Sequence, residues 1–139
     1  MEQTLENLTQ ACGRLGEAVA ALQAAAADGD AELAGLVRDA AIQRFEFTFE
    51  LAWKLLGKLQ SRAGLPPAGP RPVLRRAYAA GWIDDEGEWL AMVDDRNLTT
   101  HVYDEALAVA LAERLPGHLA ALRTLLARAP ALVVEADQG

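Results

Sequence analysis

Hydrophobic positions along this chain recur at three- and four-residue intervals almost from end to end, the spacing that places side chains on one face of an α-helix. From about Thr4 to Ala27, Leu5, Leu8, Cys12, Leu15, Val19 and Leu22 form such a face, which ends at Asp28-Gly29-Asp30. A second, stronger pattern runs from about Ala31 to Ala63, with Leu33, Val37, Ala41, Phe45, Phe49, Ala52, Trp53, Leu56 and Leu59 inward. At a rise of about 1.5 Å per residue, that helix is roughly 45 Å long. The stretch Gly64 to Pro72 is rich in proline and glycine and reads as a loop, because proline lacks a backbone donor and clashes with the preceding turn. Pro72 suits the first turn of a short helix carrying Val73, Leu74, Ala77 and Tyr78, which stops near Gly81. Trp89, Leu90, Met92 and Val93 mark another helix from about Glu86 to Asn97. The last helix is expected from about Asp104 to Ala129, with Leu107, Leu111, Leu115, Leu119, Leu122 and Leu126 inward. Pro116 is expected to kink it, and the tail after about residue 130 to fray.

No segment alternates with the period of two that a half-buried strand requires. The expected fold is therefore all-α: an antiparallel up-and-down helical bundle of four to five helices, forming a single domain over residues 1–139. Phe45, Phe49 and Trp53 share a side and read as core, whereas Phe47 points elsewhere. A helix apolar on two sides predicts a partner subunit, so a homodimer packed through helix faces is expected.

Composition narrows the functional classes. The chain is 52% hydrophobic and only 6% aromatic, and its formal net charge is −7. No broad basic surface can attract nucleic acid or an anionic membrane, so any contact with RNA must be local. The lone cysteine, Cys12, excludes an internal disulfide and is expected to be a packed or surface thiol. The opening Met1-Glu2-Gln3-Thr4 lacks the basic and apolar regions of a signal peptide, and no apolar run approaches the roughly 18 residues of a membrane span. A cytoplasmic location is the expectation. A di-metal helical bundle needs Glu-x-x-His motifs on two helices, and none occurs; no glycine-rich phosphate loop occurs either. No metal and no cofactor are expected, and His118, alone on the last helix, reads as a surface residue.

The candidate chemistry lies in Arg96-Asn97-Leu98-Thr99-Thr100-His101-Val102-Tyr103, which brings a guanidinium, an imidazole and a phenol into one short run. A guanidinium holds phosphate with a rigid fork of donors, and an imidazole exchanges protons near neutral pH. Glu46, Glu50 and Lys54 recur every four residues. They read either as an exposed ladder worth a few tenths of a kcal/mol per pair, or as a source of a carboxylate that orients Arg96 or His101. Asp94-Asp95 and Asp104-Glu105 flank the run, and Asp104 or Thr100 suits the start of the last helix as a cap.

Three blocks carry a resemblance to a known family. They are Ala41-Ile42-Gln43-Arg44-Phe45-Glu46-Phe47-Thr48-Phe49-Glu50-Leu51-Ala52-Trp53-Lys54, then Arg75-Arg76-Ala77-Tyr78-Ala79-Ala80-Gly81-Trp82-Ile83-Asp84-Asp85, then the segment from Trp89 to Glu105 that holds the run above. In this order the chain resembles the HEPN superfamily and, within it, the HepT-like toxins also described as nucleotidyltransferase substrate-binding proteins. The resemblance implies a dimeric helical bundle that brings two copies of Arg96 and His101 to a shared cleft. It implies a metal-independent ribonuclease toxin and a partner, an MntA-type minimal nucleotidyltransferase, that transfers AMP to Tyr103. On that view His101 is a general acid or base, Arg96 stabilises phosphorane charge, and Asn97 contacts phosphate or holds the motif. The alternative is a non-catalytic subunit that presents substrate to the nucleotidyltransferase.

Overall fold

The computed structural model describes Met1 to Gln138. Five helices follow one another: α1 (Glu2–Ala27), α2 (Ala31–Arg62), α3 (Pro70–Ala79), α4 (Glu86–Leu98) and α5 (Glu105–Gln138), with a 3-10 turn at Thr99–His101 between the last two. The fold is the all-α bundle that the periodicity predicts. Helix α2 is its spine and touches all four other helices, and α1 and α5 pack against it and against each other.

Local chemistry sets the helix ends. Gly29, at φ 71°, supplies the left-handed residue that lets the chain reverse between α1 and α2. Asp30 then caps α2 by accepting the Leu33 N–H at 3.0 Å. At the far end Gly64, at φ 88°, closes α2, and the Leu65 N–H returns to the Gln60 carbonyl at 3.0 Å. Helix α3 begins two residues before the expected Pro72, with Pro70 as its first residue. A first turn has no intrahelical use for proline's missing donor, so both prolines fit there.

The core is one continuous cluster in which Phe45, Phe49, Trp89 and Met92 are fully buried together with Leu8 and Leu15 of α1, Leu55 and Leu56 of α2, and Leu111, Leu115 and Leu122 of α5. Phe49 packs 6.1 Å from Phe45 and 6.5 Å from Trp89, centroid to centroid. The inward stripe on α2 differs from expectation at its first end, where Leu33 is 46% exposed and Ala34 is buried instead. An uninterrupted four-residue ladder advances about 40° per step around a helix of 3.6 residues per turn. Leu33 is three steps from the buried centre at Phe45 and has rotated out of the core. Trp53, two steps the other way, is only half-buried for the same reason.

The end of the chain corrects a second expectation. Helix α5 does not stop before Pro130 but passes through Pro116 and Pro130 to Gln138. An internal proline costs a helix about 3 kcal/mol, so packing must hold the last two turns. Val133 is buried in the core, Leu132 and Ala136 pack against its edge, and Asp137 accepts a hydrogen bond from Arg62 at 2.9 Å. Cys12 is buried as a packed thiol, and burial pushes its pKa up, opposed by the charge of Arg123. No helix among the described residues is long and apolar enough to cross a membrane.

If packing holds the last turns, Val133→Ala lowers stability by about 1–2 kcal/mol, while Val134→Ala, at a position 54% exposed, stays within about 0.5 kcal/mol. Thermal unfolding of the two variants is the check, and equal shifts would mean the last turns carry no load.

Candidate functional site

Asp85 starts α4 by accepting the Glu88 N–H at 3.0 Å. The 3.6-residue period then sends the consecutive side chains of its last turn in different directions. Asp95 turns inward to α5 and Arg96 turns to α2, while Asp94 and Asn97 face solvent.

Asp95 is almost fully buried and is the anchor of a four-residue charge network. Its carboxylate accepts two parallel hydrogen bonds from Arg114, Nε to Oδ2 at 2.9 Å and Nη2 to Oδ1 at 2.7 Å. His118 Nε2 lies 2.6 Å from Asp95 Oδ2, and His118 Nδ1 lies 2.9 Å from Glu88 Oε1. Glu88 and Asp95 stand two turns apart on one face of α4, and Arg114 and His118 one turn apart on one face of α5, so the four groups interlock. Each ring nitrogen of His118 thus lies within hydrogen-bond distance of a carboxylate oxygen of α4. The ring is 1% exposed and stacks on Phe45 at 5.1 Å. A Cβ at Gly117 would sit 2.9 Å from Glu88 Oε1, so a glycine there leaves room for the carboxylate. Burial pushes the Asp95 carboxyl up, but hydrogen bonds from Arg114 and His118, together with their charges, outweigh it and hold the group below its ordinary value. The same contact raises Arg114.

His118 is therefore not the surface residue expected from its isolation in sequence. Its partners come from another helix, 23 and 30 residues away, and no local pattern reveals them. The paired spacings, Glu88 with Asp95 and Arg114 with His118, are the signal that could have found the network.

Arg96 forms a hydrogen-bonded ion pair with Glu50. The other Glu50 oxygen lies 3.8 Å from Lys54, one turn on. Of the two candidate carboxylates, Glu50 meets Arg96, whereas Glu46 makes no hydrogen bond to the motif among the described residues. Arg96 Nε is buried without a partner. The end of α4 is thus tied to α5 through Asp95 and to α2 through Arg96.

Beyond it, the Thr99 hydroxyl donates to the Arg96 carbonyl at 2.7 Å and leads into the 3-10 turn. His101 and Tyr103 are exposed on this turn, with His101 Nδ1 3.1 Å from the Tyr103 hydroxyl and the rings edge to face. Tyr103 is 83% exposed. Asp104 caps α5 by accepting the Leu107 N–H at 3.2 Å. Two pairs therefore result, Glu50 with Arg96 and His101 with Tyr103, and no hydrogen bond joins them among the described residues. The acids around His118 lie on opposite sides of its ring and do not converge on a point where an ion could sit.

Asp95→Ala leaves Arg114 and His118 without their shared partner and is expected to lower stability by about 3 kcal/mol, read from urea unfolding. A carboxyl held below its unfolded value of about 3.9 contributes stability that is complete above that pH and is lost as pH falls through the lower folded value. Wild-type stability should therefore fall more steeply below about pH 4 than that of Asp95→Asn. Matching acid limbs would remove Asp95 from this role.

Residues 3–130 match the family described as "Nucleotidyltransferase substrate binding protein like". The probable ribonuclease HepT of Haemophilus influenzae is 40% identical over 76 residues, 51% of this chain and 52% of that protein, so the chain spans about half the length of this curated relative. A solved Haemophilus influenzae structure, described as revealing the fold of a substrate binding domain of a nucleotidyltransferase, aligns with a TM-score of 0.81 at 29% identity, over 91% of this chain and 98% of that one. A Thermus thermophilus crystal structure aligns with a TM-score of 0.66 at 41% identity, over 83% of this chain and 98% of that one. With a matching family description over most of its length and a shared bundle, the chain belongs to the nucleotidyltransferase substrate binding protein like family.

Proposed function

We propose that this chain is the ribonuclease toxin of a two-component module, cutting RNA without a metal ion and restrained by AMP transfer to Tyr103. The observation that carries the reading is the exposed pair of His101 and Tyr103, within hydrogen-bond distance on the turn that follows Arg96. The name of the Haemophilus influenzae relative, a probable ribonuclease, supports it.

In the proposed reaction, one His101 takes the proton from a ribose 2′-hydroxyl. That oxygen attacks phosphorus, the bond to the 5′-oxygen breaks, and an imidazolium returns a proton to the departing oxygen. The products are a 2′,3′-cyclic phosphate and a 5′-hydroxyl. Arg96 stabilises the charge that builds on the phosphorane, with Asn97 beside it for a non-bridging oxygen. One imidazole cannot hold both roles at once, so a homodimer that supplies two copies is part of the proposal. Glu50 holds the guanidinium in place until a phosphate competes for it.

The restraint uses the same turn. The Tyr103 oxygen attacks the α-phosphorus of ATP, pyrophosphate leaves, and the phenolic proton passes to His101 Nδ1, 3.1 Å away. The enzyme for this step is an MntA-type minimal nucleotidyltransferase. The product removes the hydroxyl from His101 and places an anion where an RNA phosphate would bind. A second reading, a non-catalytic subunit presenting substrate to the nucleotidyltransferase, is favoured by one observation: Glu50 already neutralises the charge of Arg96.

Wild-type chain unmodified at Tyr103 is expected to arrest growth and cleave RNA in excess EDTA, whereas Arg96→Ala and His101→Ala, folded and with unchanged assembly, lose about 100-fold or more of the cleavage rate. A wild type that leaves RNA intact would decide for the substrate-presenting subunit. Cleavage abolished by EDTA and restored by a divalent ion would refute the metal-free mechanism.

A further inference from the structure

A cleft of about 510 Å³ lies between α1 and α2, lined by no residue of the run from Arg96 to Tyr103. Phe47 lies in it, 55% exposed, and apart from Ala11 and Leu51 its neighbours there are polar or charged. Asn7 and Gln10 of α1 and Gln43 of α2 contribute side-chain amides, and Arg14 and Arg44 contribute guanidinium groups. Arg44 is fixed in place, donating to the Arg14 carbonyl at 2.9 Å and lying 3.9 Å from Glu17. Two guanidinium groups against that one carboxylate leave the rim locally positive on a chain whose net charge is −7.

We infer that this cleft is a binding subsite for single-stranded RNA, in which an unpaired base stacks on Phe47, the amides of Asn7, Gln10 and Gln43 meet base edges, and Arg14 and Arg44 hold the adjoining phosphates. The inference rests on the ribonuclease reading for its purpose, though not for its test. An exposed aromatic ring flanked by cations is the arrangement that binds single strands, because every base has a face to stack while the charge follows the backbone. Asn and Gln amides offer a donor and an acceptor side by side, which matches the donor and acceptor edges of bases. A second copy of this chain is the competing occupant, and the lining disfavours it, since the centre of a stable homodimer interface is apolar and depleted of charge.

The position relative to the motif gives the subsite its use. Phe47, Glu50 and Leu51 stand three and four residues apart and so share a face of α2. Leu51 lines the cleft, and Glu50 holds Arg96. One helical turn, about 5 Å, separates the stacking ring from the residue that positions the guanidinium. A strand anchored on Phe47 is thereby led toward Arg96, and the local charge answers how an acidic protein can hold RNA.

The test uses the full chain carrying His101→Ala, which prevents cleavage, and a fluorescein-labelled single-stranded RNA of about twelve nucleotides with bromouridine at one position. Adding Phe47→Ala is expected to weaken binding by about tenfold or more in fluorescence anisotropy, and Phe47→Tyr, which keeps the ring, to restore it. Photocrosslinking should label the tryptic peptide Phe45 to Lys54. Affinity within about twofold of the parent for Phe47→Ala, or crosslinks confined to other peptides, would overturn the subsite. If sedimentation shows Phe47→Ala dissociating a dimer while RNA affinity per chain holds, the cleft is an interface between copies and the inference fails. RNA binding that depends on Phe47 in a protein that never cuts RNA would uphold the subsite and reject the ribonuclease reading.

Discussion

Asp95 is a carboxylate taken out of water, and the end of α4 is arranged around the need to compensate it. A buried charge is tolerated only when it is paired and its lone pairs are filled. Here Arg114 fills two with a bidentate fork and His118 fills a third, and the histidine in turn requires Glu88. Gly117 leaves room for the Glu88 carboxylate, and Phe45 stacks on the imidazole with the ring planes 23° apart. Such a network adds less to net stability than apolar residues of the same volume would. It does fix the rotation and height of α4 against α5.

That restriction matters because Arg96 is the next residue. With Asp95 committed to α5, the helical period turns Arg96 toward α2, where Glu50 receives it. The last turn of α4 is held from both sides by charge pairs of opposite polarity, an acid of α4 on bases of α5 and a base of α4 on an acid of α2. The 3-10 turn that follows has no comparable attachment for its side chains. Thr99 closes it on the Arg96 carbonyl and Asp104 starts α5, leaving His101 and Tyr103 exposed between two well-anchored helices.

Helix α2 joins this frame to the cleft with α1. Its buried stripe holds the core, Glu50 holds Arg96, and the face carrying Phe47 and Leu51 opens onto the cleft with α1. The helix is long enough to serve all three because its apolar positions step around the axis. The same drift leaves Leu33 46% exposed and Trp53 half-buried.

Periodicity made the helices legible in the sequence, since burial of one face obliges apolar residues to repeat with the helical turn. The motif residues were legible as chemistry, because guanidinium, imidazole and phenol groups this close together are few in this chain. The pairing of Arg96 with Glu50 was legible only as one of several options. Tertiary structure alone decided that Glu50 and not Glu46 meets Arg96, that His118 is buried between two carboxylates, and that α5 continues past Pro130. Each depends on contacts between residues far apart in the chain: the partners of His118 lie on α4, and the last turns of α5 are held by packing that outweighs proline's local penalty. Local propensity reports what one segment prefers by itself, whereas the free energy that placed these residues comes from surfaces brought together only after the chain has folded.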